Sequence, residues 1–233
     1  MKFNLSKIPN SRENISLPEK ATEELAEETG LHIGDGTMNF YKNRNSVKGS
    51  YALRGHIIDD KTHYNKRIKK LYKNLFDLNI NLRDMPSTGV YGFQKWSDSL
   101  VYFKNKILEL PLGKKLDVKI PDIFINNKKL TINLIRGVFD TDGMIYLEPK
   151  YGKFYPRIEI GTICPTLAKQ IHNSLNNINI RTTCYLDKRK NENWHTIYKI
   201  SIRGNEMLNK WMETIRPNNP NHWHKYYNYR ENI

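Results

Sequence analysis

The chain has 233 residues and carries 38 Lys and Arg against 24 Asp and Glu, a formal charge of +14. That length supports one large core or two small ones without a metal or disulfide staple, and that charge favours a polyanionic partner, nucleic acid first among them. There is no run of eighteen apolar residues, and the first thirty residues lack the apolar centre of a secretory signal. A membrane partner is therefore not expected, and an intracellular protein is: cytoplasm or nucleoid in a prokaryote, an organelle if the gene is organellar. Cys164 and Cys184 are too few for a disulfide framework and match no zinc spacing; both are expected as buried free thiols.

In chain order, the first predicted helix opens on a capping box of Ser16 and Glu19, with Pro18 in its first turn, and stops at Gly36. A basic hairpin, Tyr41 to Ser50, follows. Further helices are expected over Tyr64 to Leu75 and Ser99 to Leu108. Proline and charge in Pro111 to Lys129 then mark a boundary. Beyond it Leu130, Leu134 and Val138 have helical spacing, with Gly143 as the stop. Helices are expected again over Thr166 to Leu175 and Asn205 to Ile215. Tyr198, Ile200 and Ile202 alternate with Lys199, Ser201 and Arg203, as in a strand with one face in the core and one in water.

This order contains the same unit twice. Thr29 to Thr37 (TGLHIGDGT) resembles Arg136 to Met144 (RGVFDTDGM), and superposing Asp35 on Asp142 also superposes Val90–Phe93 on Ile197–Ile200. Between these anchors Leu78 to Asn81 matches Ile178 to Arg181 with seven fewer residues of offset. The first copy is therefore expected to be longer early, in the Tyr41 to Ser50 hairpin, and the second longer late, in Leu186 to His195. The reading is an α+β chain of two αββαββα repeats: an N-terminal repeat over 1–111, a linker over 112–129 and a C-terminal repeat over 130–233.

In each motif small residues stand four apart, Gly30 with Gly34 and Gly137 with Thr141, so they share a helix face along which two backbones approach closely. If the two motif helices pack on that face, Asp35 and Asp142 emerge together at adjacent C-terminal ends. Carboxylates oppose the helix dipole there and repel each other, which a divalent cation would relieve. Oxygen ligands favour magnesium over zinc. A lone Asp-Gly is more simply a helix stop; two equivalent copies shift the reading to a metal site.

Both segments resemble the motif that names the LAGLIDADG endonucleases, with its eighth position on Asp35 and Asp142. Leu134 to Gly143 (LIRGVFDTDG) is a close match, while the first copy departs at His32, Ile33 and Gly34. Lys119 to Pro121, Leu110 to Lys115 and Asn219 to Tyr226 also resemble phrases of free-standing members. The resemblance implies a monomer with the motif helices at its centre and two antiparallel sheets forming a saddle over double-stranded DNA. It implies magnesium, or manganese in its place, at Asp35 and Asp142 with Gly34 and Thr141 beside them, and staggered hydrolysis of both strands of a long asymmetric site. Lys199 is the expected positive charge near the phosphates, with Gln94 and Ser201 as polar positions for water.

Arg44, Lys48, Arg54, His56, Arg157, Arg181, Tyr185, Arg189 and Arg203 join Lys199 and Ser201 as expected DNA contacts. Arg181, Thr183, Tyr185, Asp187 and Arg189 are read as one face of a strand. His56 is read first as an ordinary strand histidine and second as a group that orders a water near the centre of the saddle. Asp140 is read as a helix-end polar group, His222 and His224 as part of a docked C-terminal segment rather than a metal pair, and Lys66, Arg67, Lys69 and Lys70 as a solvated helix face. An RNA maturase assisting its host intron and a non-cutting DNA-binding regulator are the alternative functions. No intein splice-junction features are evident, so a free-standing, intron-encoded chain is expected.

Overall fold

The computed structural model describes residues 2–9, 15–44, 46–150, 153–188 and 195–231. Its architecture is α+β, with two four-stranded antiparallel sheets. The first is formed by β1 (Gly36–Asn43), β2 (Ser46–His56), β3 (Arg83–Met85) and β4 (Val90–Trp96), in the spatial order β1-β2-β4-β3. The second repeats it with β5 (Gly143–Lys150), β6 (Lys153–Thr162), β7 (Thr183–Asp187) and β8 (Ile197–Arg203), in the order β5-β6-β8-β7. Helices cover one face of each sheet, and alternate residues such as Tyr51 and Leu53, or Ile158 and Ile160, are buried beneath them.

The first motif helix is Glu23–Asp35 and the second Lys128–Asp142. The first starts later than its expected capping box: Ser16 and Pro18 precede the helix, and Thr22 accepts the capping hydrogen bond from the Leu25 amide at 3.1 Å. Glu23 and Glu24 supply the acidic first turn that the helix dipole favours. Both helices stop at the expected glycines, for a reason other than a left-handed turn. Gly36 and Gly143 have φ of −77° and −95°. A Cβ on Gly36 would stand 2.3 Å from His32 Nδ1, and one on Gly143 2.0 Å from Phe139 Cδ2. The ring one turn back occupies the space, so the strand can leave each helix end only without a side chain.

The glycine face is the contact between the helices. A Cβ on Gly30 would lie 2.1 Å from the Leu134 carbonyl oxygen, and one on Gly137 2.2 Å from that of Glu27. One turn on, Gly34 meets the Thr141 side chain. The backbones therefore touch at Gly30 and Gly137, and the crossing brings both helix C-termini to the same side.

The difference in length between the copies is not in the first hairpin. β1 with β2 and β5 with β6 each make eight paired positions, beginning from Asn43 opposite Ser46 and Lys150 opposite Lys153. The extra residues of the first copy lie in its second helix, continuous over 61–76 against Pro165–Asn176, in the loop before it, and in one residue of β2. The second copy is longer late, as expected, between Asp187 and Ile197. Cys164 is buried but Cys184 is exposed on β7, against the expectation that both are inside. No helix of the described residues is long and apolar enough to cross a membrane.

The two cores differ in chemistry. In the first, Lys104 and Glu28 are both fully buried and paired at 2.6 Å, with the Tyr72 hydroxyl also donating to Glu28. At the superposed positions the second core has Ile135 and Trp211, both apolar and buried. The segment between the Asn205–Thr214 and Pro220–Glu231 helices returns to the first repeat. Asn219 donates to Asp60 at 2.8 Å and Asn218 to Glu27 at 2.7 Å, while their amides donate to Asp140.

Candidate functional site

Asp35 and Asp142 stand at the adjoining ends of the two motif helices. Asp35 is half-buried and Asp142 has solvent on one side. Burial raises the Asp35 carboxyl to about 8, and the Asp142 and Asp60 charges push the same way. Burial raises Asp142 to about 6, with Lys115 opposing. Tyr64 donates to Asp35 at 3.4 Å. The arrangement is electrostatically incomplete: two crowded carboxylates resist ionisation unless positive charge arrives.

Part of that charge is Lys115, which the sequence reading placed only within a family phrase. Its ammonium donates to the carbonyls of His32 at 3.0 Å, Ile33 at 2.7 Å and Gly34, capping the first motif helix, and both aspartates act on it. A cation at a helix C-terminus meets the dipole favourably. Lys199, the expected cation, is engaged elsewhere, 2.9 Å from Glu159 and 3.1 Å from Asp187. Asp60 and Tyr64 also went unrecognised, because only the fold brings the start of the 61–76 helix against Asp35.

The donor set suits a hard divalent cation, since the two nearest groups are carboxylate oxygens whose ionisation a cation would restore. The flanking residues contribute less than expected. The Gly34 carbonyl accepts from Lys115, and the Thr141 hydroxyl donates back into its helix, to Val138 at 2.9 Å. Among the described residues no three His, Cys, Asp or Glu side chains form a metal-binding group.

The expected DNA contacts separate in the structure. On the free face of the first sheet, Lys48 is exposed and Arg54 donates to Gln94 at 3.0 Å, while Gln94 donates to Ser50 at 2.9 Å. Arg44 is exposed at the β1–β2 turn. His56 is exposed at the end of β2, where its Nδ1 accepts from the Asp59 amide at 3.2 Å. On the second sheet, Arg157 pairs with Glu148, Tyr185 donates to Glu159 at 2.9 Å, and Arg203 is exposed. Ser201 is buried, with no hydrogen-bond partner for its hydroxyl among the described residues. Arg181 precedes β7 instead of lying on it and pairs with Glu206 at 3.1 Å. Arg189 lies outside the described residues.

Asp140 is a buried helix-end group that binds the Asn218 and Asn219 amides, and burial raises its carboxyl to about 8. His222 is buried against Phe139 at 4.3 Å between ring centres, whereas His224 is exposed. Lys66, Lys69 and Lys70 are solvated, but Arg67 pairs with the buried Glu27.

Two antiparallel sheets carried by paired, glycine-crossed helices that end in aspartates define the LAGLIDADG fold. Residues 130–216 match the model of the LAGLIDADG-like domain. Among solved structures, mesophilic variants of the homing endonuclease I-DmoI superpose with a TM-score of 0.62 at 21% identity, over 83% of this chain and 95% of that one. I-DmoI in complex with DNA and Ca gives 0.61 at 22% identity, over 83% and 88%. The N-terminal LAGLIDADG domain of DUF199/WhiA gives 0.51 at 16% identity, over 91% and 87%. A curated relative, glutamine–fructose-6-phosphate aminotransferase [isomerizing] of Methanocaldococcus jannaschii, is 29% identical over 190 residues. Those residues are 81% of this chain and 16% of that protein.

Proposed function

We propose that the chain is a site-specific DNA endonuclease that cuts both strands of a long asymmetric duplex by phosphodiester hydrolysis, with staggered ends. The observation that carries this is the convergence of Asp35 and Asp142 beside Lys115, next to two sheets whose free faces carry Lys48 and Arg54 on one and Arg157, Lys199 and Arg203 on the other. Similar solved structures hold I-DmoI with DNA and Ca or Mn, which supports duplex DNA and a divalent cation as this chain's partners.

Asp35 and Asp142 would hold magnesium, with manganese as a substitute. When bound, the ion supplies Lewis acidity at a phosphoryl oxygen and lowers the pKa of coordinated water. The protein's own groups do the rest. The helix crossing fixes the carboxylates between the two sheets, so that a duplex lying across both presents a phosphate from each strand. Lys115 offsets negative charge between them. Tyr64 holds Asp35 through its hydroxyl, and Gln94 orients Arg54 on the free face. One chain contains both halves, so a monomer would suffice for one site.

The test is selection of a target from a random duplex library, then single-turnover cleavage in magnesium. Asp35→Asn and Asp142→Asn should each lower double-strand cleavage at least about 100-fold while affinity stays within a few-fold, because a metal ligand is lost and no basic contact is. Calcium should permit binding without cutting. Normal cleavage of both strands by either variant would end this reading. The non-cutting regulator is favoured if wild type binds the selected duplex and leaves it intact.

A further inference from the structure

The free faces of the two sheets follow opposite electrostatic plans. On the first, the register places Lys48, Ser50, Ala52, Arg54, Gln94 and Trp96 on one face, with no carboxylate among the described residues there. Arg54 is held by a neutral amide, so its charge is undiminished. On the second, Glu159 sits opposite Ser201 just as Ala52 sits opposite Gln94. A methyl group on one sheet is thus replaced by a carboxylate on the other.

Glu159 is buried and accepts from Lys199 at 2.9 Å, Tyr185 at 2.9 Å and Tyr146 at 3.2 Å, tying three strands to its own. Asp187 holds Lys199 a second time at 3.1 Å, and Arg157 is taken by Glu148. An ammonium has three N–H donors, and two carboxylates engage two of them. Lys199 keeps about a quarter of its side chain exposed, leaving one donor for an outside acceptor while its net charge is offset.

Building on the DNA reading above, we infer that Glu159 is a positioning residue that sets base preference in the DNA half facing the second sheet. It locks Lys199, Tyr146 and Tyr185 in place. Lys199 then acts as a directed donor to a base acceptor, the O6 and N7 of guanine being the best match. It releases few counterions, because its charge is already neutralised. The half facing the first sheet is held through cations such as Arg54, which are free to meet phosphate.

The experiment measures binding of a random-sequence duplex across salt concentrations, in calcium, for wild type and three variants, with library selection for wild type and Glu159→Gln. Arg54→Met should lower the slope of log affinity against log salt by about one. Lys199→Met should leave the slope unchanged, and Glu159→Gln should raise it, because Asp187 alone then offsets the Lys199 charge. Selection with Glu159→Gln should lose base preference in one half-site and keep it in the other, which a general loss of stability would not do. The Lys199→Met result stands even if Glu159→Gln folds poorly. The inference is overturned if Lys199→Met lowers the slope as Arg54→Met does, or if Glu159→Gln selects the same half-site as stringently as wild type. Wild type failing to retain any duplex would remove the DNA reading and this inference with it; duplex binding with unaltered variants removes the inference alone.

Discussion

Glu28 and Lys104 illustrate how a residue's worth depends on its partner. Both are fully buried, so removing one leaves a charge with neither water nor counter-ion. Lys104→Met should destabilise the protein by about 3–5 kcal/mol, whereas Glu28→Leu with Lys104→Met should cost far less, because the second core already packs apolar groups at the equivalent positions. Denaturant melts of the two variants test this, and a double variant as weak as the single one would mean the pair contributes more than its own compensation. Histidines give the protein a second titration. Burial lowers His63 to about 3 and His222 to about 4, and holds His32 well below the ordinary histidine value. Depressed pKa values mean that the unfolded chain takes up protons first: the stability these residues contribute is present above pH 6.5 and lost as pH falls through about 4 to 3. His222→Gln should flatten the stability curve between pH 6 and 4, in urea melts at each pH. An unchanged slope would place the acid sensitivity elsewhere.

At the scale of elements, the motif helices meet through backbone, and the space for even one methyl is missing. Gly30→Ala and Gly137→Ala should each lower stability by about 1–3 kcal/mol through overpacking, and leucine by more. Thermal melts report it; an unaltered melting temperature for Gly137→Leu would show that the helices part without cost. This crossing was legible in the sequence because the small-residue spacing, the terminal Asp-Gly and their repetition agree with one another. Helices and strands of the second copy were legible for the same reason, through the alternation of Tyr198, Ile200 and Ile202. Other features lacked a local signal. Ser16 and Glu19 have capping chemistry, yet Thr22 took the cap, since the nearest suitable side chain before the buried run at Leu25 wins. The length difference between copies is not in the basic hairpin where it is expected: the structure spends it on a longer helix, the loop before it and one residue of β2. Lys199 carries no sequence signal of its neutralisation, because the acids that pair with it, Glu159 and Asp187, come from other strands. Lys115 and Asp60 reach Asp35 through tertiary contact alone, which spacing in one repeat does not reveal.

For the whole molecule, the two motifs in one chain predict a single protein per duplex. Sedimentation of the complex should give one chain on one site, with affinity falling steeply as salt rises, because many of the 38 Lys and Arg residues are available to phosphates. Two chains per duplex, or a strict preference for palindromes, would mean that each copy works as half of a symmetric dimer. The expected asymmetry of the target has its basis in the differing sheet faces, since the first hairpins of the two copies are alike in length. The segment at Asn218 and Asn219 adds a strap between the repeats, anchoring the end of the second to Glu27 and Asp60 of the first.

The position of Lys115 bears on how such a chain can be redesigned. It belongs to the connector, before the second motif helix begins at Lys128, and yet its ammonium rests on the end of the first. Doubling the second repeat to build a symmetric enzyme would therefore discard a charge that the paired carboxylates lean on, and a chain divided between the repeats would leave it on whichever piece kept the connector. A working chimera has to inherit the join along with the halves it joins.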